Sequence, residues 1–166
     1  LPTELLPHFN FNNLRLNLLQ LNLNIKIIKS NKLLKLRSKI LRNNLDPLLC
    51  NFPGDNKDSS IHLGAYIDDV LIGGVSLIKN ECKLIELPNS YQLRGLFVEK
   101  KNQRNGIGKI IINEVELMLA KKKINYLWMN ARVKALKFYL NLNYTKSNIS
   151  FDINEIGLHY MLYKKL

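Results

Sequence analysis

The stretch Leu93-Arg-Gly-Leu-Phe-Val-Glu-Lys-Lys-Asn-Gln-Arg-Asn-Gly-Ile-Gly-Lys109 decides how this chain is read. Its first six residues are apolar apart from Arg94 and Gly95 and suit a strand, expected over Tyr91–Val98. A polar loop follows. Gly106 then opens a run in which Ile107, Ile110, Ile111, Val115, Met118 and Leu119 recur at helical spacing, so a helix is expected to reach Lys123. The start of a helix carries unpaired backbone N–H groups, and glycine lets an anion approach them. Lys100, Lys101, Arg104 and Lys109 add positive charge around that point. A phosphate-bearing ligand is therefore expected. Two common phosphate loops are excluded. A Walker A loop needs Gly at 103 and Ser or Thr at 110, where this chain has Gln103 and Ile110. The dinucleotide fingerprint needs Gly at 111, which is Ile111.

Working outward, Asn24–Lys29 reads as a first strand and Ser30 as the N-cap of a helix carrying Leu33, Leu34, Ile40 and Leu41. Asp46-Pro47 breaks that pattern, and Asn51–Ser60 reads as a loop. Ile61–Ile67 and Val70–Ile78 flank Asp68-Asp69, a two-residue hairpin signal. Downstream, Tyr126–Asn130 suits a strand and Val133–Leu142 a helix. Asn143 stands where a left-handed residue is needed. Phe151–Ile153 and His159–Tyr163 are the last strands. The order β-α-ββ-β-α-β-α-ββ implies an α/β architecture, a mixed sheet with helices on both faces. Residues 1–22, mostly Leu and Asn, are expected to be a poorly ordered extension, and residues 23–166 a single domain. The chain begins with Leu, so a fragment or trimmed form is expected.

Two separated motifs resemble the GNAT family of N-acetyltransferases. Gln103-Arg-Asn-Gly-Ile-Gly108 is similar to the family's acyl-CoA signature, (Gln/Arg)-x-x-Gly-x-Gly, on the same strand-loop-helix context. Ala135-Leu-Lys-Phe-Tyr-Leu-Asn-Leu-Asn-Tyr144 resembles its later Ala-x-x-Phe-Tyr-x-x-x-Gly-Phe helix ending, with Asn143 replacing the usual Gly. His62-Leu-Gly-Ala65 and Ile156–Met161 resemble a branch of small bacterial members. The resemblance covers roughly residues 24–166 and implies the acyl-CoA N-acyltransferase fold. It implies direct transfer of an acetyl group from acetyl-CoA, a cosubstrate, to an amine. It also implies that the backbone at Leu96 and Val98 holds the pantetheine arm, with the Leu96 N–H on the thioester oxygen. The amides from Gln103 through Arg104, Asn105, Gly106 and Gly108 to Lys109 would hold the pyrophosphate. Tyr139 would be the acid that protonates the departing thiolate, since a phenol is neutral at physiological pH. Arg104 stands where Gly is commonest, and Asn130 or Arg132 near a cofactor-contacting Asn. Where the histone-acetylating branch has a basic glutamate this chain has Gln92, which cannot take a proton. A water chain, Glu86, His62 or His159 is left for that role. The acceptor is accordingly expected to be an amine of a small molecule, which the sequence does not name.

The chain has 25 Lys+Arg against 13 Asp+Glu, a net charge of +12. The rows hold 19 Lys, 6 Arg, 22 Asn and 4 Ala, the drift of an A/T-rich genome. A nucleic-acid reader would favour Arg for bidentate base contacts, so a nucleic-acid partner is not expected. No apolar run approaches the ~20 residues that cross a bilayer. Two cysteines, Cys50 and Cys82, exclude a disulfide framework and fit a cytoplasmic location. No His/Asp/Glu cluster has metal-ligand spacing, so no metal is expected. Trp128 reads as core and Lys121–Lys123 as a solvated helix end. The oligomeric state stays open, a homodimer included. The rival functions are an inactive acyl-CoA-binding relative of the same fold and a basic nucleic-acid-binding module.

Overall fold

A computed structural model describes residues 22–154 and 156–166. The extension expected over residues 1–22 lies, Asn22 apart, outside the described residues. The elements follow the expected order: β1 (Leu23–Ile27), α1 (Leu34–Leu41), β2 (Ile61–Ile67), β3 (Val70–Lys79), β4 (Ser90–Val98), α2 (Ile107–Lys121), β5 (Tyr126–Arg132), α3 (Val133–Leu140), β6 (Thr145–Ile153) and β7 (Gly157–Lys165). The strands form a seven-stranded sheet in the order β1-β2-β3-β4-β5-β7-β6. β4 and β5 are parallel, and the other neighbours are antiparallel.

Local chemistry accounts for most of the element ends. Asp68 and Asp69 have φ of 47° and 61°, the left-handed pair that a two-residue hairpin turn requires. Asn143, at φ 64°, ends the α3 region as expected. Ser30 is not the cap of α1. It opens a 3-10 turn over Ser30–Lys32, its hydroxyl bonds Asn56, and α1 starts after Leu33 without a side-chain cap. Leu33 is fully buried, so packing rather than capping fixes that end. β6 and β7 run longer than their apolar stretches. β6 is an edge strand whose Lys146, Asn148, Ser150 and Asp152 are exposed while alternate residues are half-buried.

Two adjacent glycines show how the layers stack. A Cβ on Gly73 would point at Ile111 of α2, 3.4 Å away, whereas one on Gly74 would collide with Leu33 beside α1. Since successive strand residues face opposite ways, α1 and α2 lie on opposite faces of the sheet. Gly108 of α2 sits 3.4 Å from the Phe138 ring by the same measure, which puts α3 beside α2. α2 buries Ile107, Ile111, Ile112, Val115 and Leu119, at roughly 1.5–3 kcal/mol each. Trp128 is core, with its indole N–H donating to the Asn80 carbonyl at 2.8 Å, and Cys50 and Cys82 are buried free thiols. Among the described residues no helix is long and apolar enough to cross a membrane.

The sheet is not continuous in its middle. β4 and β5 are paired only where Ser90, Tyr91 and Gln92 meet Tyr126, Leu127 and Trp128. From Leu93 to Val98 the edge of β4 that faces β5 has no strand partner, so the two strands part into a V.

Candidate active site

The V opens into a cleft of about 320 Å³. β4 supplies Gln92 to Leu96, β5 supplies Met129 to Arg132, α3 supplies Lys134, Ala135 and Tyr139, and the end of α1 supplies Ile40, Leu41 and Arg42. Phe52, Ile153, Ile156 and His159 complete the wall. The cleft thus joins the α1 face to the α3 face through the gap in the sheet.

A bulge shapes its β4 wall. Gly74 pairs with Phe97 and Ser76 with Arg94, so Val75 faces both Gly95 and Leu96. The extra residue is accommodated by Gly95 at φ +60°, where a Cβ would also meet the Phe52 ring at 2.5 Å. Leu96, half-buried, lies on this bulge and lines the cleft; Val98, buried, ends the strand.

The loop of the sequence motif follows directly. The Gln103 side chain donates to the Val98 carbonyl at 2.8 Å, and its own amide donates to Lys100 at 3.3 Å. Gln103 therefore ties the loop to the strand and has no spare backbone donor. Arg104 has φ +65° and Gly106 φ +76°, so the chain is twice in the left-handed region just before α2. The amides of Arg104, Asn105, Gly106, Ile107 and Gly108 donate to no backbone carbonyl among the described residues. They are the orphan donors of a helix start, with these two left-handed residues leading into it. Gly108 has a second reason to lack a side chain, the approach of Phe138. Arg104 and Lys109 are exposed beside these amides.

Tyr139 is buried at the α3 wall of the cleft, edge-on to Phe138 and Tyr144. Burial pushes its phenol well above the ordinary tyrosine range, so it is protonated at neutral pH. Of the three candidate bases, only His159 lines the cleft. Its Nδ1–H donates to the Gly157 carbonyl at 2.7 Å, which leaves a lone pair on Nε2 of the neutral ring. His62 is on neither wall. Its Nε2 donates to the Asp55 carbonyl at 2.9 Å, and its Nδ1 accepts from Ser76 at 2.8 Å. Glu86 is exposed and away from the cleft. Gln92 reaches the cleft but accepts from Asn80 at 3.1 Å.

Arg42, Arg94 and Arg132 also line this cleft, and no motif or spacing groups them. They come from α1, β4 and β5, so only the fold brings them together.

Residues 54–165 match the family described as acetyltransferase (GNAT) domain. The chain is 29% identical over 144 residues to the uncharacterized N-acetyltransferase YitI of Bacillus subtilis (strain 168), covering 87% of this chain and 97% of that protein. Among solved structures, Escherichia coli ElaA superposes with a TM-score of 0.69 at 11% identity, over 86% of this chain and 99% of that one. An aminoglycoside 6'-N-acetyltransferase complexed with coenzyme A gives 0.64 at 17% identity, over 86% and 96%. At these identities the two structures establish a shared fold.

Proposed function

The chain belongs to the GNAT acetyltransferase family, and on that premise we propose that it moves an acetyl group from acetyl-CoA directly to the primary amine of a small molecule. The observation that carries this reading is that three features lie on β4 and on the elements next to it. They are the open edge of β4, the orphan amides ahead of α2, and the buried Tyr139 phenol on the cleft wall. The residues fit the cosubstrate. Arg104 through Gly108 offer unpaired N–H groups to a pyrophosphate, with Lys109 beside them, and the β4 edge from Leu96 to Val98, which has no strand partner and only its Val98 carbonyl taken by Gln103, offers backbone groups to an amide-bearing arm. Acetyl-CoA supplies an activated thioester.

The chain's own part is positional and electrostatic. The Leu96 amide, re-aimed by the bulge, stabilises negative charge on the thioester oxygen as the neutral amine adds to the carbonyl carbon. As the C–S bond breaks, Tyr139 gives its proton to the thiolate and is reprotonated from solvent. The nitrogen loses a proton as the amide forms, and His159 Nε2, directly or through water, receives it. No carboxylate among the described residues lines the cleft, which favours His159 over an acidic base.

The test is Tyr139→Phe. Turnover should fall by about 100-fold or more, with acetyl-CoA affinity unchanged in calorimetry. Undiminished turnover would remove Tyr139 from the mechanism.

A further inference from the structure

We infer that Arg42, Arg94 and Arg132 form a binding site for a carboxylate carried by the acceptor amine, so that the substrates are small amino acids or similar amino carboxylates. The inference rests on the acetyl-transfer reading and deepens it. The three guanidiniums meet on the α1 side of the cleft, away from the loop ahead of α2. Arg94 stacks over Phe52 with its guanidinium carbon 4.5 Å from the ring centroid, and Arg42 lies over the same ring at 5.7 Å. Arg132 donates one Nη2 bond to the Leu41 carbonyl at 3.3 Å. The contacts hold the planes in place while using few of their N–H donors.

What the three lack, among the described residues, is an anion. None forms an ion pair with a described carboxylate, whereas Lys26, Arg37, Lys39, Lys101 and Lys164 do. Asp55, whose charge reaches Arg94, is committed to Arg37 at 2.6 Å. Burial lowers the proton affinity of Arg94 and Arg132, and the neighbouring guanidiniums lower it further. An anion in the cleft relieves both. Residue type sharpens the point. The chain carries 19 Lys and 6 Arg, yet three of the four Lys/Arg side chains lining this cleft are Arg. The planar fork of Arg suits bidentate recognition of a carboxylate, which the point charge of Lys does not. His159, opposite Arg132 in the β5–β7 register, would then sit beside the amine end.

The experiment uses the full chain and a matched panel: 3-aminopropanoate, 4-aminobutanoate and 5-aminopentanoate against propylamine, butylamine and pentylamine, with 2-aminoethylphosphonate as the phosphate-like arm. Binding is read by calorimetry without acetyl-CoA, transfer by thiol release with it. The carboxylate should raise affinity and kcat/KM by about 10- to 100-fold over the matched amine. Arg94→Gln and Arg132→Lys should each erase most of that difference through KM, with acetyl-CoA affinity intact in Arg94→Gln. Equal use of both series, or no carboxylate-dependent binding by a folded chain, overturns the inference. So does preference for the phosphonate. Acetyl-CoA is titrated separately, so failure of the acetyl-transfer reading shows as lost acetyl-CoA binding and is distinct from loss of the carboxylate effect.

Discussion

Two arginine sites lie on the α1 face of the sheet, and they differ in one respect. Arg37 is fully buried and supplied with partners: the Cys50 carbonyl at 2.8 Å, Asp55 at 2.6 Å and the Ser76 hydroxyl at 2.6 Å. Asp55 also accepts from the Phe52 amide, and the Ser76 hydroxyl donates to His62 Nδ1, so one network binds α1 to the following loop and to β2 and β3. Against the same Phe52 ring, Arg94 and Arg42 have aromatic contact and, among the described residues, no anion. Both sites combine Arg with Phe52. The closed one holds the scaffold in place, and the open one is available to a ligand. A buried charge is structural when its partner is in the chain, and a candidate for recognition when it is not.

Removal of the internal partner has the largest expected effect. Asp55→Ala leaves Arg37 as an uncompensated buried charge and should cost about 3–5 kcal/mol in urea unfolding. Arg94→Gln, by contrast, should cost only about 0.5–1 kcal/mol, the order of a partly exposed cation–π contact. Similar losses from both substitutions would mean that the two sites are equally structural. The smallest effect concerns the loop. Arg104 occupies the left-handed region, which disfavours a side chain by about 1–2 kcal/mol. Arg104→Gly should recover part of that in thermal unfolding, by ~1 kcal/mol, while the lost cation weakens acetyl-CoA binding slightly. A destabilised Arg104→Gly protein would contradict the strain assigned there.

The loop and the cleft also differ in how far the sequence exposed them. Gln103 to Gly108 is local: its glycines, its neighbours and the helical spacing after it lie within a few residues. The Asp68-Asp69 turn and Asn143 were legible for the same reason, since a left-handed residue is a local demand. The buried Arg37 was not legible. It lies between Leu34 and Ile40 in a helix, where a charged residue ordinarily faces water, and its partners come from residues 50, 55 and 76. The V between β4 and β5 is likewise non-local, because it depends on where a parallel ladder stops. The motif order, carried by the family resemblance, still placed the right strand beside the right loop. No sequence signal groups Arg42, Arg94 and Arg132, which are 38 to 90 positions apart. The reading of Ser30 as a cap failed because burial of Leu33 decided where α1 begins.

The central claim is that the splayed β4 edge and the amides ahead of α2 bind acetyl-CoA. The direct measurement is calorimetric titration of the protein with acetyl-CoA, with ATP and NAD as controls, repeated on Gly106→Val. Gly106 sits at φ +76°, which a β-branched residue does not adopt without strain. The account predicts saturable, selective binding of acetyl-CoA with a dissociation constant on the order of micromolar. It predicts loss of that binding in a Gly106→Val protein that still melts cooperatively. A folded wild-type chain that ignores acetyl-CoA, or binds ATP and NAD as well as it binds acetyl-CoA, would contradict it.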